Sequence, residues 1–240
     1  RVEVEVDVAN SMPNISIVGL PDNAVTEARE RVHSAIKNSG YSFPLGRVIV
    51  NLAPADIRKE GTNFDLPIAI GILKEQGIDI KDDLNTGFIG ELSLDGSLRK
   101  INGVLPLVSG LKDSGVTTVF VPYENAKEAA LVQGVRVFGA KHLGDIVNHY
   151  LETPIAETKV DINEYLESNA QVDFTFDFKD VKGQQKAKKA LEIAAAGGHN
   201  ILMTGSPGSG KTLMAKCFPS ILPPLELQEA LELTKIYSIC

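Results

Sequence analysis

Cysteine is almost absent from this sequence: Cys217 and Cys240 are the only two in 240 residues. Two isolated thiols exclude a disulfide scaffold and point to a reducing compartment, so a cytoplasmic location is expected. No apolar run approaches the ~20 residues a membrane-spanning helix needs, and no secretory signal is visible. No membrane partner is expected. Positive charge is in deficit, with 24 Lys and Arg against 31 Asp and Glu, a net charge of -7 and a pI near 5.2. The chain as a whole is therefore not a basic nucleic-acid binder, although a local patch stays open. An initiator Met is missing before Arg1, so the sequence is expected to be a piece of a longer protein. What remains is ordinary, with 43% hydrophobic and 23% charged residues. That suits one large globular domain or two small ones.

One stretch stands out. Gly205-Ser206-Pro207-Gly208-Ser209-Gly210-Lys211-Thr212 fits G-x-x-x-x-G-K-[ST], a phosphate-binding loop. Glycines let the backbone curl so that successive N–H groups face phosphate oxygens. Lys211 is expected to bring charge to the β- and γ-phosphates of ATP, and Thr212 to offer its hydroxyl to Mg²⁺. A helix beginning near Lys211 is expected to turn its positive end to the same phosphates. Ile201, Leu202, Met203 and Thr204 form a short apolar run, read as a buried strand in front of the loop.

The chain before this stretch alternates strands and helices. Val2, Val4, Val6 and Val8 interleave with Glu3, Glu5 and Asp7, a period-two strand with one wet face. A second strand covers Ile15, Ile17 and Val18. Asp22 or Asn23 caps a helix whose stripe is Ala24, Val25, Ala28, Val32, Ala35 and Ile36, stopping at Gly40. His33 is read as a surface or edge residue, not a metal ligand. A strand at 48–52 runs into the charged loop 53–61, read as a solvated connection. Asp65 is expected to cap an apolar helix over 66–76. Phe88, Ile89, Leu92 and Leu94 mark a hairpin turning at Asp95-Gly96. Helices are expected at 104–111, 124–132 and 142–151, and strands at 116–121 and 135–138. The module is α/β or α+β and closes near residue 150.

Residues 152–173 hold six acids (Glu152, Glu157, Asp161, Glu164, Glu167 and Asp173) against Lys159, which reads as a solvated linker or an acidic interaction tail. A helix then carries Ala187, Ala190, Leu191, Ala194 and Ala195. From 176 to 216 seven lysines face Asp177, Asp180 and Glu192. That excess is either a solvated face or a surface meeting nucleotide or nucleic acid. A last helix is expected over 225–236. No acidic strand end follows the loop to complete a nucleotidase site.

Asp180-Val181-Lys182-Gly183-Gln184 and Gly197-Gly198-His199-Asn200 resemble the ComM (YifB) family of magnesium-chelatase-like AAA+ ATPases. So do Val18-Gly19-Leu20-Pro21-Asp22, Asn51-Leu52-Ala53-Pro54-Ala55-Asp56-Ile57-Arg58-Lys59-Glu60-Gly61, Phe64-Asp65-Leu66-Pro67 and Gly90-Glu91-Leu92-Ser93-Leu94-Asp95-Gly96. The resemblance implies an α/β fold: a Lon-protease-type domain (1–151), the linker (152–173), and the first part of an AAA+ P-loop domain (174–240). It implies ATP and Mg²⁺ as cofactors, a homo-oligomeric ring, commonly a hexamer, and DNA as partner of a branch-migration helicase. It also implies that Val181 and Gly183 line the adenine. The family's second acidic motif, sensors and arginine finger are expected beyond Cys240.

Three rivals are weighed against that reading. A Lon-type domain raises a Ser-Lys protease, but the nucleophile and base positions match Asn63 and Leu105. An amide is no nucleophile and an isobutyl group no base, so proteolysis is rejected. A chelatase-type ATPase inserting metal into a tetrapyrrole is the second rival. A nucleotide-gated assembly module with little turnover is the third.

Overall fold

The structure is a computed structural model and describes residues 1–81, 85–161, 175–223, 229, 232–234 and 236. Residues 162–173 of the expected linker and most of the expected helix over 225–236 lie outside the described residues. The chain divides into two compact units. Among the described stretches, 1–161 build the first and 175–223 the second.

The first unit opens with a three-stranded sheet in the order β1-β3-β2. Strand β1 (Glu3–Ala9) runs antiparallel to β3 (Arg47–Ala53), and β2 (Asn14–Val18) runs parallel to it. The valines of β1 turn inward while Glu3, Glu5 and Asp7 stay exposed, as a period-two pattern requires. Helix α1 (Asn23–Asn38) and helix α2 (Asp65–Glu75) cover the apolar face. Of the two caps weighed for α1, Asp22 is the one used: its Oδ1 accepts from Val25 N–H at 2.7 Å. Val25, Ala28, Val32, Ala35 and Ile36 are buried in this core. His33 packs edge-on against Phe43.

A second sheet has the order β4-β7-β8-β9. Strands β4 (Thr86–Phe88), β7 (Thr118–Pro122) and β8 (Arg136–Ala140) are parallel. Between β4 and β7 lie the hairpin β5 (Glu91–Leu92) and β6 (Leu98–Arg99), then α3 (Val104–Asp113). Asp95-Gly96 makes the hairpin turn as expected, but Phe88 belongs to the other sheet. The helix expected over 124–132 shortens to α4 (Ala126–Ala129) behind a 3₁₀ turn, Tyr123–Asn125. Buried Asn125 explains the shift. Its amide group donates to Ile101 O and accepts from Ile101 N–H, both at 2.9 Å. That pairing anchors the turn on the segment before α3. Helix α5 (Leu143–Leu151) starts on a His142 cap.

Three expectations for charged or polar segments need correction. Asp65 caps nothing: the N-cap of α2 is Phe64, without a side-chain bond. The Asp65 carboxylate is fully enclosed and takes Arg31 Nε at 2.7 Å and Nη2 at 3.0 Å, plus Leu92 N–H at 3.2 Å. Burial pushes its pKa up, and the Arg31 hydrogen bonds oppose that push. Loop 53–61 is not simply a solvated connection. Lys59 is 1% exposed, its ammonium donates to Pro54 O, and its backbone exchanges bonds with Leu20 O and Asp22 N–H. Finally, the acidic stretch begins with structure. Strand β9 (Glu157–Thr158) pairs antiparallel with β8, and Ile155 N–H donates to His149 Nδ1 at 3.0 Å. Ladder bonds and that imidazole order a segment whose composition carries no period.

His149 stands among the rings of Phe120, Phe138 and Tyr150. Burial lowers its pKa, and the nearby Arg136 charge lowers it further.

Two outcomes follow from these enclosed groups. Asp65→Ala leaves Arg31 without its carboxylate and should cost about 3 kcal/mol in urea denaturation. A loss under about 1 kcal/mol would show the pair to be incidental. For His149, the unfolded chain takes the proton more readily than the folded one. Stability should therefore be intact above about pH 6.5 and fall as the pH drops from there towards the lower folded pKa. Urea midpoints between about pH 7 and pH 5 should show this slope, and His149→Phe should reduce it. An equal slope in both proteins would contradict the assignment.

Candidate phosphate-binding site

The second unit is built around a small apolar cluster of Phe178, Val181, Leu191, Met214 and Cys217. A 3₁₀ turn (Phe178–Asp180) leads into helix α6 (Gln185–Gly197). Leu191, Ala194 and Ala195 from the expected stripe are its buried face. Gly198 ends α6 and its N–H donates to Ala194 O. Residues 199–204 then lead to the glycine loop, and α7 (Lys211–Cys217) follows at once.

The strand expected at Ile201, Leu202, Met203 and Thr204 is not present. Leu202 is 88% exposed. A strand exists through its ladder, and among the described residues none pairs with this segment. The apolar run is there, but a run alone cannot supply a neighbour.

The loop itself turns on two left-handed glycines. Gly208 has φ +78° and Gly210 φ +87°. A Cβ would make both conformations costly, so these two positions require glycine. Pro207 between them and Ser206 has no N–H to offer. Lys211 folds back over the loop. Its ammonium donates to Ser206 O at 2.8 Å, Gly205 O at 3.0 Å and Ser209 Oγ at 3.2 Å. All three N–H bonds of the ammonium are thus taken by the loop.

Gly208, Ser209, Gly210, Lys211, Thr212 and Leu213 line an open cavity of about 250 Å³. All six positions are consecutive, so one continuous stretch lines one space. The exposed Thr212 borders that space. Among the described residues no cluster of three or more His, Cys, Asp or Glu could hold a metal by itself. Thr212 is suited instead to share Mg²⁺ with phosphate oxygens.

Val181 and Gly183 do not line this cavity. Val181 is buried against the same cluster as Met214, one helical turn past Lys211. Gly183 has φ +72° and open space where a Cβ would stand. Several lysines of the basic excess are engaged locally. Lys188 lies over the Phe178 ring and Lys216 over Phe176, while Lys179 pairs with Asp177 and Lys189 with Glu192. These contacts favour the solvated-face reading over a bare cationic patch. Sequence reasoning missed Ser220, whose hydroxyl accepts from Phe178 N–H across 42 positions. No local signal marks such a bond.

At the positions matched to a Ser-Lys dyad, Asn63 O accepts from Gly90 N–H and Leu105 is wholly buried. Neither side chain has nucleophilic or basic chemistry.

Comparison with known proteins identifies the family. A family model for subunit ChlI of Mg-chelatase matches residues 4–125. A second, for magnesium chelatase subunit ChlI, matches 177–240. The uncharacterized protein YifB of Salmonella typhimurium is 41% identical over 99% of this chain and 46% of its own length. The competence protein ComM of Haemophilus influenzae is 40% identical over 99% of the chain and 47% of its own. The chain belongs to the ComM/YifB magnesium-chelatase-like family. Lon protease 2 of Bacillus subtilis is 26% identical over 68% of the chain and 33% of its own length. The fold is accordingly mixed α/β, with a Lon-protease-type region followed by part of a P-loop (AAA+) region. The chain spans slightly under half the length of the ComM and YifB relatives. No helix among the described residues is long and apolar enough to cross a membrane.

Proposed function

We propose that this chain is the nucleotide-binding portion of a ring-forming ATPase. The observation that carries the reading is the loop over 205–212. Two glycines hold left-handed backbone there, and Lys211 is braced across the loop by three acceptors. Gly205, Ser206, Pro207, Gly208, Ser209 and Gly210 wrap the triphosphate of ATP. Lys211 neutralises the β- and γ-phosphates, and Thr212 binds Mg²⁺. Val181 and Gly183 flank the adenine. Hydrolysis belongs to the longer protein, where other residues must polarise the attacking water.

The substrate side of the proposal is DNA, handled by branch migration in uptake and recombination, with a homo-hexameric cytoplasmic ring as the working form. The family supports this, one relative being named a competence protein. A chelatase-type ATPase is the second reading, favoured by the ChlI names of both family models. The likeness to Lon protease 2 counts against it. Stimulation of ATP turnover by branched DNA in the longer protein would separate the two. A nucleotide-gated module would instead assemble with ATP and turn over little.

Titration calorimetry tests the core of the proposal. The chain should bind Mg·ATP and Mg·ADP, and Lys211→Ala should weaken both by roughly tenfold or more, since the positive charge beside the β- and γ-phosphates is lost. Equal affinities in the two proteins would remove Lys211 from the site.

A further inference from the structure

The phosphate side and the proposed base side of the site sit on different segments. Lys211 and Thr212 begin α7. Val181 and Gly183 follow the turn Phe178–Asp180. The separation between the two matters, because a nucleotide can span only a limited distance from base to γ-phosphate.

Apolar contact supplies part of the answer. Phe178 and Val181 pack with Met214 and Cys217 of α7. Such contact is non-directional, and it tolerates sliding. A directional link also exists. The hydroxyl of Ser220 accepts from Phe178 N–H at 2.9 Å and donates to Cys217 O at 2.8 Å. Cys217 is the fully buried last residue of α7. Within the turn, Lys179 N–H is taken by Asp177 Oδ1 and Asp180 N–H by Asp177 O. The Phe178 amide is the one whose acceptor comes from beyond the turn. Ser220 therefore joins the start of the base-side segment to the far end of the helix whose near end carries Lys211. That helix is seven residues long, a rigid spacer of about 10 Å.

We infer that Ser220 is a positioning residue for the nucleotide: its two hydrogen bonds hold the base-side turn at a set distance from the phosphate loop. The inference rests on the nucleotide reading given above. Ser220 touches no phosphate-loop residue in this role, so its loss should be felt through the base and not through the phosphates. Without the hydroxyl, Phe178 N–H loses its acceptor, and the turn keeps its apolar contacts and Lys188 over the Phe178 ring but loses this directional link to α7.

The test uses two probes with Mg²⁺, ATP and inorganic tripolyphosphate, on the whole chain and on Ser220→Ala and Ser220→Thr. Ser220→Ala should weaken ATP by roughly three- to tenfold, the range of one net hydrogen bond, while tripolyphosphate affinity stays within about twofold. Ser220→Thr keeps the hydroxyl and should restore ATP affinity. If Ser220→Ala weakens both probes alike, or neither, or if Ser220→Thr behaves as Ser220→Ala does, the inference is overturned while the nucleotide reading stands. A wild-type chain that binds neither probe overturns the nucleotide reading itself.

Discussion

A carboxylate cut off from water must have its charge answered, and the first unit is arranged around that requirement. Asp65 begins α2 with no exposed surface. Arg31 reaches it from the middle of α1 with two hydrogen bonds, and Leu92 of β5 adds a backbone N–H. One charge pair thus fixes the rotation of α1 against α2 and seats the hairpin on both. Arg31 is itself held by Ala24 O at 2.9 Å. The apolar cores could tolerate small slips, whereas a desolvated ion pair cannot. Lys59 does similar work for loop 53–61: its buried ammonium donates to Pro54 O, and its backbone ties the loop to Leu20 and Asp22 at the entry to α1.

The second unit meets a different constraint. Its described cluster is small, five buried side chains from the 3₁₀ turn and the residue after it, α6 and α7. So little burial leaves position to hydrogen bonds. Lys211 braces the phosphate loop from within, and Ser220 braces the turn beside it. The loop is held in shape by its own bonds, with Gly208 and Gly210 in left-handed backbone.

Much of this was legible in the sequence wherever a pattern is local. The valine alternation gave β1, the apolar stripe and its cap gave α1, and the glycine spacing gave the loop and the start of α7. Long-range partners were not legible. Asp65 beside an apolar helix looks like a cap until Arg31, 34 positions away, is seen to hold it. Lys59 among charged neighbours looks wet until its loop folds over it. Asn125 shortened a helix through a bond to Ile101, and β9 was ordered by the edge of β8 in a stretch that looks like linker. The run at 201–204 failed the other way. Its composition suits a strand, yet a ladder needs a neighbour, and none is present among the described residues.

The central claim is that the backbone over 208–212 receives phosphate. Amide resonances in a ¹⁵N-labelled chain titrated with Mg·ADP report on it directly. Gly208, Gly210, Lys211 and Thr212 should show the largest shifts, saturating together, because their N–H groups take new charged acceptors. Saturable binding that leaves these four amides unmoved, with shifts confined to other segments, would contradict the account.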